Sequence, residues 1–210
     1  MGSAREALLD AAYETIVTGD WATARMADIA ARAGVSRQTL YNEFGNRDQL
    51  AAALALREAE RLRQLTSEAA RHAPGDVGDA TAAAVTAALE AAVDNPLIKA
   101  ALTDDNSGLL PYLTTRSAQI MEVFRRDSIA NFHERWPEMG DRPAAADEVG
   151  WICETAFRLV ISHLIVPSEP VETTSRHIAE VVRRLMSAVS AGSDVEPTES
   201  GERGIGHVDA

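Results

Sequence analysis

Apolar positions recur every three or four residues along most of this chain, and no stretch alternates apolar with polar for long enough to make a strand. Leu8, Leu9, Ala12, Tyr13, Ile16 and Val17 form the first stripe; Gly19 stops it, and Trp21 puts a bulky apolar plug in the connection that follows. A short helix fits "MADIAARA", with Met26, Ile29 and Ala30 turned inward. Gly34 breaks it and Val35 anchors the turn. Ser36 is then placed to cap a third helix, "RQTLYNEF", whose Leu40 and Phe44 lie four apart on one buried face. Gly45 ends that helix, and Asn46, with Gln49 three residues on, caps a fourth that runs to about Ala70.

The run "HAPGDVGD" is the clearest interruption. Beyond it the spacing predicts a helix from about Asp79 to Val93, a break at "DNP", and a short helix from Leu97 to Leu102. "TDDNSG" reads as loop, after which Pro111 opens a long helix to about Trp136. After the loop "PEMGDRP", helices are predicted from about Ala144 to Val166, ended by Pro167 and Pro170, and from about Glu172 to Val189. The pattern therefore predicts an all-α fold of about nine helices. A head covers 1–50, a helical body 51–190, and a polar, acidic tail over 191–210 is expected to be disordered.

Composition agrees with helices, since alanine is abundant and β-branched runs are rare. The single cysteine, Cys153, excludes an internal disulfide framework. "LVISHLIV" is too short and polar to span a bilayer, and the charged N-terminus lacks the apolar core of a signal peptide, so a cytoplasmic protein without membrane attachment is expected. The formal net charge is −12, but unevenly spread: up to Leu65 eight arginines stand against nine acids. That balance excludes a general polyanion binder, whose affinity comes from many Lys or Arg contacts to phosphate. It leaves room for a small local reading surface.

Such a surface is present at residues 36–47. A helix, a tight glycine turn and a second helix make a helix-turn-helix, in which the N-terminal part of the second helix enters the major groove of duplex DNA. At about 100° per residue, Leu40 and Phe44 point inward while Arg37, Gln38, Tyr41 and Asn42 spread over the open face. Arg matches guanine O6 and N7, and Gln or Asn matches adenine N6 and N7. Ser36 stands with Arg37 at the end that enters the groove, Thr39 and Tyr41 suit phosphate or a thymine methyl, Arg47 at the start of the fourth helix suits phosphate, and Arg25 suits phosphate or the minor groove. Glu43 is the discordant acid on this face. Polar residues also coat the outside of any amphipathic helix, so spacing alone leaves a purely structural reading open.

Residues 8–54 resemble the N-terminal domain of the TetR family of transcriptional regulators. The resemblance is carried by "LLDAA", Gly19 and Trp21, "MADIAARAGVS", "TLYNEF" and "NRDQL". "VSRQTLYNEFGNRD" is similar, within that family, to actinobacterial regulators of alkane and lipid genes. Two departures stand out: Asp20 is an extra residue between Gly19 and the aromatic, and Ala24–Arg25 replaces the hydroxyl residue that commonly caps the second helix. The resemblance implies a repressor that binds a palindromic DNA operator as a homodimer, with Arg37, Gln38, Thr39, Tyr41 and Asn42 as the reading head and the fourth helix as the lever to the body.

In the body, the helix holding Trp151, Ile152, Phe157, Val160, Ile161 and Leu164 is apolar almost all round, which requires burial on all sides. The last helix carries a stripe of Ile178, Val181, Val182, Leu185, Met186 and Val189. The resemblance implies that these two helices form a four-helix dimer interface and that the middle helices enclose an effector. Its lining is expected from Leu102, Leu109, Leu113, Ser117, Ile120, Met121, Phe124, Phe157 and Ile161. All but Ser117 are aliphatic or aromatic, so the effector is expected to be lipophilic, such as a fatty acid or its ester, with Arg116, Asn106 or His163 at its polar head. Core packing is the ordinary role of any one of these residues.

Signals for catalysis fail one by one. "HERWP" lacks the second histidine of a zinc-protease helix, and Cys153 and His163 would stand about 15 Å apart along one helix. "GERGIGH" has neither a preceding strand nor a following helix. Neither metal nor cofactor is expected, and no enzyme activity. The rival reading is a helical lipid-binding protein that never meets DNA.

Overall fold

The computed structural model describes residues 3–103, 108–137 and 145–191, and every regular element among them is helical. Nine helices and one further helical turn follow in order. They are α1 (Ala4–Val17), α2 (Met26–Arg32), α3 (Arg37–Phe44), α4 (Arg47–His72), α5 (Val77–Asp94), α6 (Pro96–Thr103), the turn α7 (Leu110–Leu113), α8 (Ala118–Arg135), α9 (Ala145–Ile165) and α10 (Val171–Ala191). The expected disorder beyond Ala191, and most of the two loops at 103–108 and 137–143, lie outside the described residues.

Caps set the boundaries. Ser3, Ser36 and Asn46 accept from the backbone N–H groups of Glu6, Thr39 and Gln49 at 3.2, 3.0 and 2.9 Å. The open question at α2 resolves through its third residue. Arg25 stands at the cap position but has no side-chain acceptor, and the Asp28 carboxylate reaches back to the Arg25 N–H at 2.9 Å. α5 begins earlier than its apolar spacing predicts, because Asp76 accepts from Gly78 and Asp79 while Asp79 accepts from the Asp76 N–H.

The long helix expected from Pro111 is broken. Thr114 leaves helical geometry at φ −123, ψ −93, and the Thr114 and Ser117 hydroxyls donate to the carbonyls of Leu110 and Thr114. Successive hydroxyl residues offer the backbone local partners that compete with the helix, and here they prevail.

Three buried clusters organise the packing. Leu8, Ile16, Ile29, Leu40, Leu50 and Leu54 centre the head, and Leu97, Ala101 and Leu109 from the α6–α7 region join the same cluster. Val85, Leu89, Val160 and Ile178 bind α5 to α9 and α10; Phe132, Val149, Ile152, Val182 and Met186 bind α8 to the same pair. α5 lies against both α4 and α10. Arg183 fastens the α5 start to α10, donating from Nε to Asp76 Oδ2 at 2.8 Å and from Nη1 to Glu180 at 3.0 Å. It lies over Gly78, where a Cβ would fall 2.4 Å from the guanidinium carbon.

The Arg183 guanidinium, with the cap N–H groups, holds the Asp76 carboxyl down at about 2. A carboxyl depressed in the folded state stabilises fully above its unfolded value and ceases to do so as the pH falls from about 4 through about 2. Asp76→Ala is expected to cost about 1 kcal/mol through the lost cap. Asp76→Asn keeps a capping acceptor but should flatten the stability loss between about pH 4 and pH 2. Urea titrations of the three proteins at neutral and acid pH check both.

Candidate functional site

The head presents α3 on a rigid seat. Gly34 takes φ +68, a left-handed conformation that favours glycine, and turns the chain between α2 and α3, while the Val35 N–H closes back on the Ala30 carbonyl at 3.0 Å. Leu40 and Phe44 are buried, which leaves Arg37, Gln38, Tyr41 and Asn42 on the outer face, Tyr41 49% exposed. Gln38 Nε2 donates to Asn42 Oδ1 at 2.8 Å, so these two amides are held together one turn apart. Arg37 makes no ion pair among the described residues. Glu43 is drawn aside to Arg5 of α1 at 3.7 Å, and that guanidinium also stacks on the Phe44 ring. Ser36 and Thr39 share a hydroxyl contact of 2.9 Å at the α3 start, and Arg25 is exposed at the α2 start.

Arg47 departs from the expectation. Its guanidinium lies 4.5 Å from the centre of the Trp21 ring and donates to the Ala24 carbonyl at 3.2 Å. Burial pushes its pKa down despite neighbouring Asp48. The α1–α2 connection thus holds the guanidinium from inside the domain. Arg47 packs on Trp21 and ties it to the Ala24 carbonyl. Arg57 was not singled out from the sequence. Its largely buried side chain on α4 pairs with Asp10 at 2.7 Å and Glu6 at 3.4 Å on α1, and with neighbouring Glu58.

The body holds a cavity of about 450 Å³ between α4, α5, α8 and α9, with residues of α6, α7 and α10 also in its lining. Of the residues expected in its lining, Leu109, Leu113, Ile120, Phe124, Phe157 and Ile161 face it, the two phenylalanine rings 4.9 Å apart. Leu102, Arg116, Ser117 and Met121 do not. The break at 114–117 puts Arg116 and Ser117 in the turn, where Arg116 approaches Asp48 of the head at 3.9 Å. Of the expected head-group residues, His163 instead meets Thr174 at 3.1 Å, and Asn106 lies outside the described residues.

The cavity has one polar corner that the sequence reading missed. Asn131 Nδ2 donates to Ser67 Oγ at 2.8 Å and to Asp127 Oδ2 at 2.9 Å, and Asp127 also pairs with Arg63. Ser67 and Asn131 lie 64 positions apart, and no local signal joins them. Cys153 lines the wall nearby, where burial pushes its thiol pKa up. Among the described residues no group of His, Cys, Asp and Glu is arranged to hold a metal, and no helix is long and apolar enough to cross a membrane.

A helix-turn-helix head on a cavity-bearing helical body defines the class: a one-chain regulator with a reading face and an internal binding site. The chain belongs to the TetR family of bacterial regulatory proteins. Residues 8–54 match the family's N-terminal region, and residues 76–184 match the C-terminal domain of the bacterial tetracyclin repressor type. The chain is 29% identical over 179 residues to the HTH-type transcriptional regulator AlkX of Mycobacterium tuberculosis, covering 85% of this chain and 82% of that protein. It superposes on the crystal structure of the TetR family repressor AlkX from a Dietzia strain, implicated in biodegradation of n-alkanes, with a TM-score of 0.71 and 29% identity over 89% of this chain and 97% of that one. The repressor QsdR of R. erythropolis shares the fold at a TM-score of 0.61 and 18% identity, over 86% of this chain and 94% of that one.

If Arg47 braces Trp21, Arg47→Ala should destabilise the protein by about 1–2 kcal/mol through the lost cation–π and carbonyl contacts. Equilibrium urea unfolding measures it; unchanged stability with weakened DNA binding would return Arg47 to the phosphate role.

Proposed function

We propose that the chain is a homodimeric, ligand-released repressor. Residues 1–50 read a palindromic DNA operator, 51–190 hold the effector and the partner copy, and the protein works in the cytoplasm. The observation that carries this reading is the α3 face. Arg37, Gln38, Tyr41 and Asn42 stand exposed and uncrossed by acid, on a helix whose buried side is locked by Leu40 and Phe44. Ser36, Thr39 and Arg25 flank it as phosphate and groove-edge contacts.

A second copy of the chain suits the outer face of α9 and α10. Trp151 and Val166 are 58% and 68% exposed, and Leu159, Ile165 and Val181 are exposed beside them. Large exposed apolar side chains grouped on one pair of helices suit a protein–protein contact. Pairing there sets two α3 helices toward successive major grooves, roughly 34 Å apart or at a related spacing.

The effector occupies the cavity, whose mainly aliphatic and aromatic walls suit a lipophilic molecule with an aliphatic chain, the class to which a fatty acid or its ester belongs. The implication of the Dietzia AlkX in n-alkane biodegradation supports an aliphatic ligand. Filling the cavity favours a dimer with the wrong spacing between its two α3 helices. Moving it from mostly competent to mostly incompetent takes a differential affinity of about 5.5 kcal/mol.

With a DNA fragment selected by the purified dimer from a random-sequence library, Arg37→Ala and Tyr41→Ala should each weaken binding by about 1–3 kcal/mol while leaving thermal stability and cavity binding unchanged. Equal affinity of wild type and both variants for that fragment would contradict the assignment of α3. Trp151→Glu should yield monomers in analytical ultracentrifugation and lose operator binding with them.

A further inference from the structure

The polar corner of the cavity has its own hydrogen-bonding logic. A carboxylate only accepts, so the Asn131 atom beside Asp127 must be the amide nitrogen, and its two hydrogens go to Asp127 and Ser67 Oγ. Two groups are left over among the described residues: the Asn131 Oδ1 acceptor and the Ser67 hydroxyl hydrogen. Ser67 is only 7% exposed, so little solvent reaches its donor. Both residues line a cavity whose remaining walls are mainly apolar. An unmet donor beside an unmet acceptor matches one small group that carries both functions, a hydroxyl.

Charge at the corner argues in the same direction. Arg63 pairs with Asp127 of the corner and also faces Glu60, at 2.7 Å, so one cation there stands against two carboxylates. The lining cations are also engaged. Arg61 pairs with Glu58 at 2.9 Å, Arg71 pairs with Glu68 at 2.6 Å, and Arg135 donates to the Ala70 and Ala73 carbonyls at 2.7 and 2.6 Å. An anionic head placed beside Asn131 would sit against the Asp127 carboxylate, in a cluster where one cation, Arg63, already faces two carboxylates. Desolvating it there is unfavourable.

We infer that Ser67 and Asn131 form the head-group site of the cavity, and that it takes an aliphatic effector with an uncharged oxygen head, a long-chain primary alcohol fitting best. This rests on the cavity being the effector site. The alcohol oxygen accepts from the Ser67 hydroxyl and donates to Asn131 Oδ1, while its chain runs toward Phe124, Phe157 and Ile120. An ester satisfies only the Ser67 donor and ranks second.

The test compares 1-dodecanol, methyl dodecanoate, dodecanoate and dodecane on the full-length dimer at slightly alkaline pH. Binding is followed by Trp136 fluorescence, since that residue lines the cavity, and by native mass spectrometry. The alcohol is expected to bind at least tenfold tighter than dodecanoate and dodecane. Ser67→Ala and Asn131→Leu should each remove about tenfold of the alcohol's advantage over dodecane, with dodecane binding itself retained as the control for folding. Dodecanoate binding as tightly as the alcohol, or an alcohol-to-dodecane ratio unmoved in both variants, overturns the head-group assignment while leaving the cavity reading standing. Binding of none of the four overturns both.

Discussion

The head and the cavity share side chains, and that shared packing is the constraint on which the molecule depends. Leu97 and Ala101 of α6, with Leu109, pack into the same buried cluster as Leu8, Ile29 and Leu40, and the same three residues line the cavity. Protein interiors are packed to crystal-like density, so a change in what fills the cavity is not absorbed on one side of these residues alone. The adjoining contacts reinforce the seam. The Tyr112 hydroxyl donates to the Asp48 carbonyl at 3.0 Å, and Gly108 sits where a Cβ would fall 3.4 Å from the Trp21 indole nitrogen. Trp21 is thus held between the α6–α7 segment and the Arg47 brace.

A second connection runs along α4. This helix has 26 residues, about 39 Å at 1.5 Å per residue, and contributes both to the head core through Leu50 and Leu54 and to the cavity wall through Ala59, Leu62 and Ser67. Arg57 clamps it to α1 through Asp10 and Glu6. α4 is thus tied to α1, which packs in the same core as α3. Besides α4, α6 also joins head and cavity, and the sequence showed it only as a short apolar segment between two breaks.

Local features were legible. Ser36 and Asn46 cap where a hydroxyl or amide precedes an apolar run, and Leu40 and Phe44 are buried because four-residue spacing puts them on one face. The outward set on α3 follows from the same rotation. What stayed hidden depends on residues distant in sequence. Whether Arg47 faces solvent or the Trp21 ring, and whether Glu43 lies over the reading face or turns to Arg5, is decided by tertiary neighbours. The break at Thr114 lay within a stretch whose apolar spacing continued through it, and it displaced Arg116 and Ser117 from the expected lining. Ser67 and Asn131 each look like an ordinary polar residue on a helix until α4 and α8 pack together.

The central claim is that the contents of the cavity and the posture of the reading head are one equilibrium. Coupling between two binding sites is reciprocal, so the most direct measurement is the affinity of the tightest cavity ligand for the dimer with and without saturating operator DNA, set against the operator affinity with and without that ligand. The account predicts that operator weakens ligand binding, and by the same factor by which ligand weakens operator binding. Ligand affinity that is identical for free and DNA-bound dimer would contradict it.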